Sequence, residues 1–210
     1  MLAAELIAPG GTLICSDQSE AMLELARTRS AELSLKNVAF RVINAESIDL
    51  PVASLDGVLC RWGYMLMVDP LAALVETRRV LKPGGRVSLA CWGSPSDNAW
   101  LAVPRAALVE YGLAEPPQPD GPGPFALADP NRLSGLLEEA AFGEIEIDAI
   151  DLDFGGGSFD EWWEMQLQMS PSGAALRAAT PELRRAVAAD VAKRLGAHRT
   201  ARTLVALASA

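Results

Sequence analysis

Short apolar runs alternate along the first half of the chain with segments whose apolar residues recur at helical spacing. After the first run, Met22, Leu25 and Leu33 fall on one face of a predicted helix that ends near residues 36–37. This alternation is typical of a mostly parallel sheet with helices on both faces, so the pattern predicts an α/β, Rossmann-like fold. The predicted strands are residues 12–17, 38–44, 55–62 and 86–92.

Helix boundaries are marked by local signals. Asp69, Asp129 and Thr180 each stand directly before a proline, which is the pattern of an N-cap followed by the first helical residue. Glycine pairs at 10–11 and 84–85 follow predicted helices and precede predicted strands. They are therefore interpreted as turns that end helices, at the rim opposite the expected ligand site.

The last third of the chain departs from this alternation. Residues 144–154 alternate apolar and acidic side chains, with a change of phase between Ala149 and Ile150. This pattern predicts a strand that is antiparallel or close to an edge, with a bulge at the phase change. Gly155–Gly157 leads into Ser158-x-x-Glu161, which predicts a capping box and a helix. The final apolar run is expected to close the sheet.

Composition narrows the possible functions. The 210 residues carry 27 acidic and 18 basic side chains, a net charge of -9, which disfavours nucleic acid as a partner. The single histidine, His198, lies in a polar stretch and is interpreted as solvated; no metal site is predicted. No apolar stretch reaches the roughly 18 residues of a membrane span, and no basic flank marks a signal peptide. A single cytoplasmic domain, 1–210, is expected.

In an open parallel sheet, ligands bind beyond the carboxyl ends of the strands. The residues that follow the predicted strands are therefore the candidate site. Asp17 has two carboxylate oxygens that suit a ribose diol, but it can equally serve as a helix N-cap, and Ser19 can cap instead. The other residues at these strand ends are Gln18, Asn44, Ala45, Glu46, Arg61, Trp62, Gly63, Trp92 and Gly93.

The sequence lacks the motifs of several enzyme classes. The sequence contains no phosphate-binding G-x-x-x-x-G-K-[ST] loop, no G-x-S-x-G nucleophile elbow and no Tyr-x-x-x-Lys pair. Three cysteines, Cys15, Cys60 and Cys91, lie near the ends of predicted strands, where packing under the site is favoured over a nucleophilic role. NTPase, hydrolase and short-chain dehydrogenase functions are therefore disfavoured.

Four motifs in order carry a family resemblance: D-x-S-x-x-M from residue 17, A-E-x-x-x-L-P from 45, L-D-x-V from 55, and R-V-L-K-P-G-G from 79. In this spacing, residues 1 to about 93 resemble a class I S-adenosylmethionine-dependent methyltransferase of the ubiquinone/menaquinone methyltransferase-like (type 11) group. The family's first, central strand and its glycine loop have no counterpart here. The chain is therefore expected to be shortened at its N-terminus.

The resemblance implies S-adenosyl-L-methionine as cofactor and assigns residues to it. Asp17 would bind the ribose hydroxyls, and the other implied cofactor contacts are Gln18, Met22, Asn44, Ala45, Glu46 and Arg61. The residues expected to face the acceptor are Trp62, Tyr64, Trp92 and Trp100, with residues 94–130 as a lid. Glu46, Asp69 and Tyr64 are candidate general bases by location alone, so the catalytic residue stays unassigned.

Two functions follow as hypotheses. The first is in-line methyl transfer to a small or lipophilic acceptor, in which positioning supplies much of the rate enhancement and an aromatic floor of Trp62, Tyr64 and Trp92 favours the sulfonium cation. The second is a non-catalytic binding or interaction module that keeps a degenerate methyltransferase fold. A sheet without its central strand exposes unpaired edges, which favours a homodimer or another partner in either case.

Overall fold

The computed structural model describes residues 2–118, 121–153, 158–169, 171–196 and 200–210. Strands and helices alternate through the first half, and helices predominate after residue 99. The helices are α1 (Leu2–Leu6), α2 (Glu20–Glu32), α3 (Pro70–Val80), α4 (Ala99–Glu110), α5 (Pro130–Glu139), α6 (Phe159–Met169), α7 (Pro171–Ala178) and α8 (Pro181–Leu195). The strands are β1 (Leu13–Asp17), β2 (Val38–Val42), β3 (Leu55–Arg61), β4 (Leu81–Trp92), β5 (Gly143–Asp153) and β6 (Thr200–Ser209).

The strands form two sheets. β1 and β2 pair in parallel as one sheet of two strands. The other sheet has the order β3-β4-β6-β5, with β3 parallel to β4 and β6 antiparallel to both of its neighbours. The predicted α/β architecture, with an antiparallel C-terminal part, is confirmed. Among the described residues no strand joins β1 to β3.

Backbone hydrogen bonds define which edges stay open. The Leu13 amide donates to Asn37 at 2.8 Å, and the Trp62 amide donates to Ala90 at 2.8 Å. Backbone N–H and C=O groups alternate in direction along a strand. Those of Ile14 and Ser16 in β1 therefore point away from β2, and those of Leu59 in β3 point away from β4. The Leu59 side chain is itself 71% exposed. Among the described residues, β1 and β3 therefore each have an unpaired edge.

Local signals correctly predicted the helix starts. Asp69 caps α3 by accepting from the Ala72 amide at 2.9 Å, and Thr180 caps α8 by accepting from the Leu183 amide at 3.3 Å. The prolines that follow these caps lack the N–H that a first helical residue would leave unpaired. Asp129 accepts from the Asn131 amide before α5 in the same way. The Ser158–Glu161 capping box is also present, with the Ser158 amide 2.8 Å from the Glu161 carboxylate.

Apolar side chains gather in two clusters. The first lies where α3 and α5 pack on the larger sheet, and it includes Leu74, Leu89 and Leu133, all almost fully buried. The second lies among α4, α6, α7 and α8, with Trp163 and Val187 at its centre. Full burial of each such side chain stabilises the fold by about 1.5–3 kcal/mol. The second cluster ties α4, which belongs to the predicted lid, to the helices near the C-terminus.

Three details differ from the sequence prediction. β6 lies between β4 and β5 and so does not close the sheet; β5 is the edge strand, in agreement with its acidic alternation. The register of β5 shifts between Gly143 and Glu146, whereas pairing is continuous through Ala149 and Ile150, where a bulge was predicted. α2 ends at Glu32, before the predicted boundary. His198 and Gly155–Gly157 lie outside the described residues.

Candidate functional site

The candidate site lies beyond the carboxyl ends of β1, β2 and β3. One carboxylate joins the segments that follow β2 and β3: Glu46 Oε1 accepts from the Val68 amide at 2.8 Å and from the Asp69 amide at 3.1 Å. The chain after β2 therefore contacts the loop after β3, although these strands belong to different sheets. This is the rim at which an open parallel sheet binds ligands.

Asp17 ends β1 with an exposed carboxylate. Its Oδ1 accepts from the Ser19 amide at 2.8 Å, while Ser19 is the N-cap of α2 and its Oγ accepts from the Met22 amide. In the part of the chain that the structure describes, no hydrogen bond engages Oδ2 of Asp17. The cap of α2 is thus supplied by Ser19, and one oxygen of Asp17 stays available to a ligand.

Gln18 and Asn44 connect the ends of β1 and β2. Gln18 Nε2 donates to Asn44 Oδ1 at 2.9 Å, and the same oxygen accepts from the Glu46 amide at 3.0 Å. These bonds order the turn after β2. Met22, in the first turn of α2, is 54% exposed, whereas Ala45 is partly buried against the first apolar cluster.

Two of the candidate general bases already accept hydrogen bonds from backbone amides. Glu46 accepts from two amides of the loop after β3, and Asp69 caps α3. A carboxylate that already accepts such bonds has less of its lone-pair capacity left for a proton from an acceptor. These contacts support positioning roles for both residues.

Tyr64, the third candidate base, lies in the core. Its side chain is only 4% exposed, and its hydroxyl is 2.6 Å from Thr77 Oγ1. Thr77 Oγ1 donates to the Ala73 carbonyl, so the proton between the two hydroxyls comes from Tyr64. Burial raises the pKa of Tyr64 above its ordinary value. This placement supports a structural role for Tyr64 and does not support the predicted acceptor contact.

The tryptophans predicted to face the acceptor do meet. Trp62 stacks on Trp92 with ring centroids 4.2 Å apart, and Trp100 approaches Trp92 edge-on at 5.2 Å. The guanidinium carbon of Arg61 lies 4.7 Å from the centre of the Trp62 ring. This group, named here the tryptophan cluster (Trp62, Trp92 and Trp100), lies at the carboxyl ends of β3 and β4, and Trp100 belongs to α4.

Trp62 has a backbone φ of 60°, in the left-handed region that a bulky residue rarely adopts. Long-range bonds hold it there: its indole Nε1 donates to Thr203 Oγ1 at 3.3 Å, and Thr203 in turn donates to the Cys91 carbonyl at 2.8 Å. Backbone outliers of this kind cost about 1–3 kcal/mol and concentrate at functional sites. The conformation sets the direction of the indole at the rim.

The cysteines under this rim have little thiolate character. Burial raises the pKa of Cys91 to about 12 and also raises the pKa of Cys60. A Cβ atom on Gly63 would lie 2.6 Å from Cys60 Sγ, so a larger residue there would displace the Cys60 side chain. Raised thiol pKa values disfavour nucleophilic catalysis and support the predicted packing role.

Three functional features are absent from the sequence prediction. They are the backbone bonds of Glu46, the conformation of Trp62, and a Glu76–Arg79 ion pair on α3 that bonds to the turn after β2. The Glu-x-x-Arg spacing of the pair is visible in the sequence, but its loop partner is not.

The first part of the chain is similar to known methyltransferases. Residues 1–89 match the family model described as a methyltransferase domain. Demethylmenaquinone methyltransferase from Lactococcus lactis is 40% identical to the chain over 84 residues, which are 40% of this chain and 33% of that enzyme. The chain thus spans about a third of that relative.

Solved structures extend the likeness in fold beyond residues 1–89. The YcgJ protein from Bacillus subtilis has a TM-score of 0.60 at 17% identity, covering 94% of this chain and 82% of that chain. The [4+2]-cyclase SpnF has a TM-score of 0.58 at 18% identity, covering 99% of this chain and 69% of that chain. At these identities the likeness establishes the fold alone.

Membrane-spanning helices and metal-binding clusters are both absent from the described ranges. No described helix is long and apolar enough to cross a membrane. Within those same ranges, no group of three or more His, Cys, Asp or Glu side chains is arranged to hold a metal ion.

Proposed function

We propose that this chain binds S-adenosyl-L-methionine at the carboxyl rim of β1 and β2 and takes part in methyl transfer to a small, lipophilic acceptor. The exposed Oδ2 of Asp17, beside the Gln18–Asn44 bridge, is the observation that carries the proposal. A carboxylate oxygen that protein groups leave open is suited to accept hydrogen bonds from a ribose. The match of residues 1–89 to a methyltransferase domain supports the same cofactor.

The residues of this chain fit the adenosyl end of such a cofactor. Asp17 would bind the ribose hydroxyls, while Gln18, Met22 and the Asn44–Glu46 turn would lie near the adenosine. Arg61 would lie beside the methionine portion. The cofactor supplies an electrophilic methyl group, and the contribution of the protein is to hold the acceptor in line with it.

An apolar acceptor is supported by the tryptophan cluster. Trp92 is itself buried, which does not support its predicted direct contact with the acceptor. The partly buried Trp62, which stacks on Trp92, provides a rigid ring that suits a planar acceptor. The Lactococcus lactis relative is named for a demethylmenaquinone acceptor, and we propose a quinol-like ring as the first acceptor class to test. Arg61 already lies against the Trp62 ring, and Tyr64 is buried, so orientation of the acceptor is a better supported role for this cluster than stabilisation of the sulfonium.

Residues 94–130 would cover the acceptor. Trp100, at the start of α4, reaches from this segment to Trp92. The segment is fastened to the sheet by buried Asn98, which accepts from the Arg202 amide at 3.1 Å and donates to the Arg202 carbonyl at 3.0 Å. A cover attached in this way would limit access to the acceptor side of the rim.

The test is calorimetric titration with S-adenosylhomocysteine, followed by transfer of a labelled methyl group to a naphthoquinol. Saturable binding with a Kd in the micromolar range, together with labelled quinol, is the expected result. No binding at millimolar ligand would refute the proposal.

The open edges of β1 and β3 favour one alternative, a non-catalytic interaction module. SpnF, named as a cyclase, has a similar fold, so this fold alone does not fix methyl transfer. Concentration-dependent self-association without S-adenosylhomocysteine binding would support the module and a homodimer.

A further inference from the structure

We propose that Glu76 and Arg79 on α3 form a positioning pair that holds the turn after β2, and with it Asn44 and Glu46, in the arrangement that receives the cofactor. The part of this inference that concerns cofactor affinity rests on the proposed function. The pair itself would not touch the cofactor; it would act through the backbone of residues 48–50.

Arg79 makes four side-chain hydrogen bonds with a forked geometry. Its Nε donates to Glu76 Oε1 at 2.7 Å, and its Nη2 donates to Glu76 Oε2 at 2.8 Å. The remaining bonds go to the turn: Nη2 to the Ile48 carbonyl at 2.7 Å and Nη1 to the Leu50 carbonyl at 2.9 Å. A planar guanidinium can make such bonds to a carboxylate and two carbonyls at once, whereas an ammonium cannot reproduce this fork.

Glu76 also bonds directly to the turn after β2. Its Oε2 accepts from the Ile48 amide at 2.9 Å, so both polar groups of the Ile48 backbone bond to this pair. The side chains of Arg79 and Glu76 are 32% and 23% exposed, which limits the screening of the pair by water.

The turn has little other regular structure to hold it. Between the end of β2 and the start of β3, the only bridge in the described chain joins Asn44 to Ser47. Glu46 attaches one side of the turn to the start of α3, and the positioning pair attaches residues 48–50 to its middle and end. The candidate cofactor turn is thereby fixed to one rigid helix at two points.

A second ion pair, on the surface, has the same three-residue spacing but does not bond to a loop in the described chain. Arg29 and Glu32 on α2 are also three residues apart, with Nη1 2.8 Å from Oε2, and their side chains are 63% and 56% exposed. In the described chain their side chains bond only to each other. Glu32 is therefore a matched control position for Glu76.

The test compares Glu76→Gln, Arg79→Lys and the control Glu32→Gln. Amide hydrogen exchange over residues 44–50 measures the turn without a cofactor, and calorimetry measures S-adenosylhomocysteine affinity. We expect Glu76→Gln and Arg79→Lys to speed exchange of the Ile48 amide about tenfold and to weaken affinity about five- to tenfold, because charge-assisted bonds to the turn are lost. Glu32→Gln should change neither quantity.

The outcomes separate this inference from the proposed function. Unchanged exchange over residues 44–50 in both variants would overturn the inference, whether or not the wild type binds the ligand. Faster exchange with an unchanged Kd would also overturn it, while the proposed function would stand. Absence of ligand binding in the wild type would refute the proposed function and, with it, the effect of the pair on cofactor affinity. Amide hydrogen exchange would still decide whether the pair holds the turn. Arg79→Lys keeps the charge but removes the forked guanidinium. Wild-type exchange and affinity in that variant would therefore overturn the role given to the forked bonds of Arg79.

Discussion

Replacing Asp17 with asparagine separates the two roles that this carboxylate can have. In the structure, Oδ1 accepts from the Ser19 amide and Oδ2 is open to a ligand. Asparagine keeps one oxygen, which can accept from Ser19, and places an NH₂ group where Oδ2 was. That group cannot accept a hydrogen bond from a ribose hydroxyl. The variant should therefore keep the local turn and lose the proposed cofactor contact.

The expected loss follows from the chemistry of that contact. A hydrogen bond to a charged group contributes about 1.5–3 kcal/mol. With about 2 kcal/mol lost, the Kd for S-adenosylhomocysteine should rise about thirtyfold. The unfolding free energy should change by less than about 0.5 kcal/mol, because the side chain is exposed and its bond to Ser19 is retained.

Isothermal titration calorimetry and chemical denaturation measure the two quantities on the same samples. Asp56→Asn is the matched control, since Asp56 lies on β3 at the opposite end from Arg61 and its carboxylate pairs with Lys82 at the surface. Ser19→Ala is a second control that removes the α2 cap, which should cost about 1 kcal/mol of stability. A Kd for Asp17→Asn within twofold of the wild type would refute the ribose contact. An equal loss of affinity in Asp56→Asn would do the same.

Three further outcomes are expected. Hydrogen bonding to its arginine partner lowers the pKa of Glu76 below the ordinary 4.5, so its carboxylate stabilises the fold above that pH and loses this contribution as pH falls through the lowered value. The stability advantage of wild type over Glu76→Gln, measured by denaturation, should therefore shrink below about pH 4.5. Tyr64→Phe removes the donor to Thr77 and should lower the unfolding free energy by about 1 kcal/mol in denaturation, with no change in S-adenosylhomocysteine affinity. Leu59→Lys on the open edge of β3 should reduce self-association in sedimentation experiments more than Val52→Lys, which changes a similarly exposed residue outside the strand.

Each of these outcomes has a result that contradicts it. A stability difference at Glu76 that is constant from pH 7 to 3 would mean that the ion pair does not shift the titration of the carboxyl. Weaker ligand binding in Tyr64→Phe, without a stability loss, would place the hydroxyl in the site. Equal self-association in the two lysine variants would show that the β3 edge is not the contact.

Helix starts and strand positions were predictable because their causes are local. The caps at Asp69 and Thr180 bond to amides three residues away, so the sequence contains both partners. Strand alternation follows from the two-residue period of side-chain direction. The rim residues were predictable because parallel strands end at one edge of a sheet.

The individual roles at the rim depend on partners far apart in the chain. Glu46, which is predicted to lie at the cofactor, also bonds through its carboxylate to amides 22 and 23 residues later. Tyr64 was predicted to face the acceptor, yet its hydroxyl bonds to Thr77 in the core. Trp62 is held by Thr203, 141 residues away. Residue type and spacing alone do not show such pairings.

By itself, the amino-acid pattern determined the α/β class, the caps, and which strand ends carry polar and aromatic side chains, because each of these depends on neighbours within a few residues. The tertiary structure alone decided which oxygen of Asp17 stays open, that β6 lies inside the sheet, and that Glu76 and Arg79 hold the turn after β2. These outcomes depend on hydrogen-bond partners and strand neighbours that only the folded chain brings together.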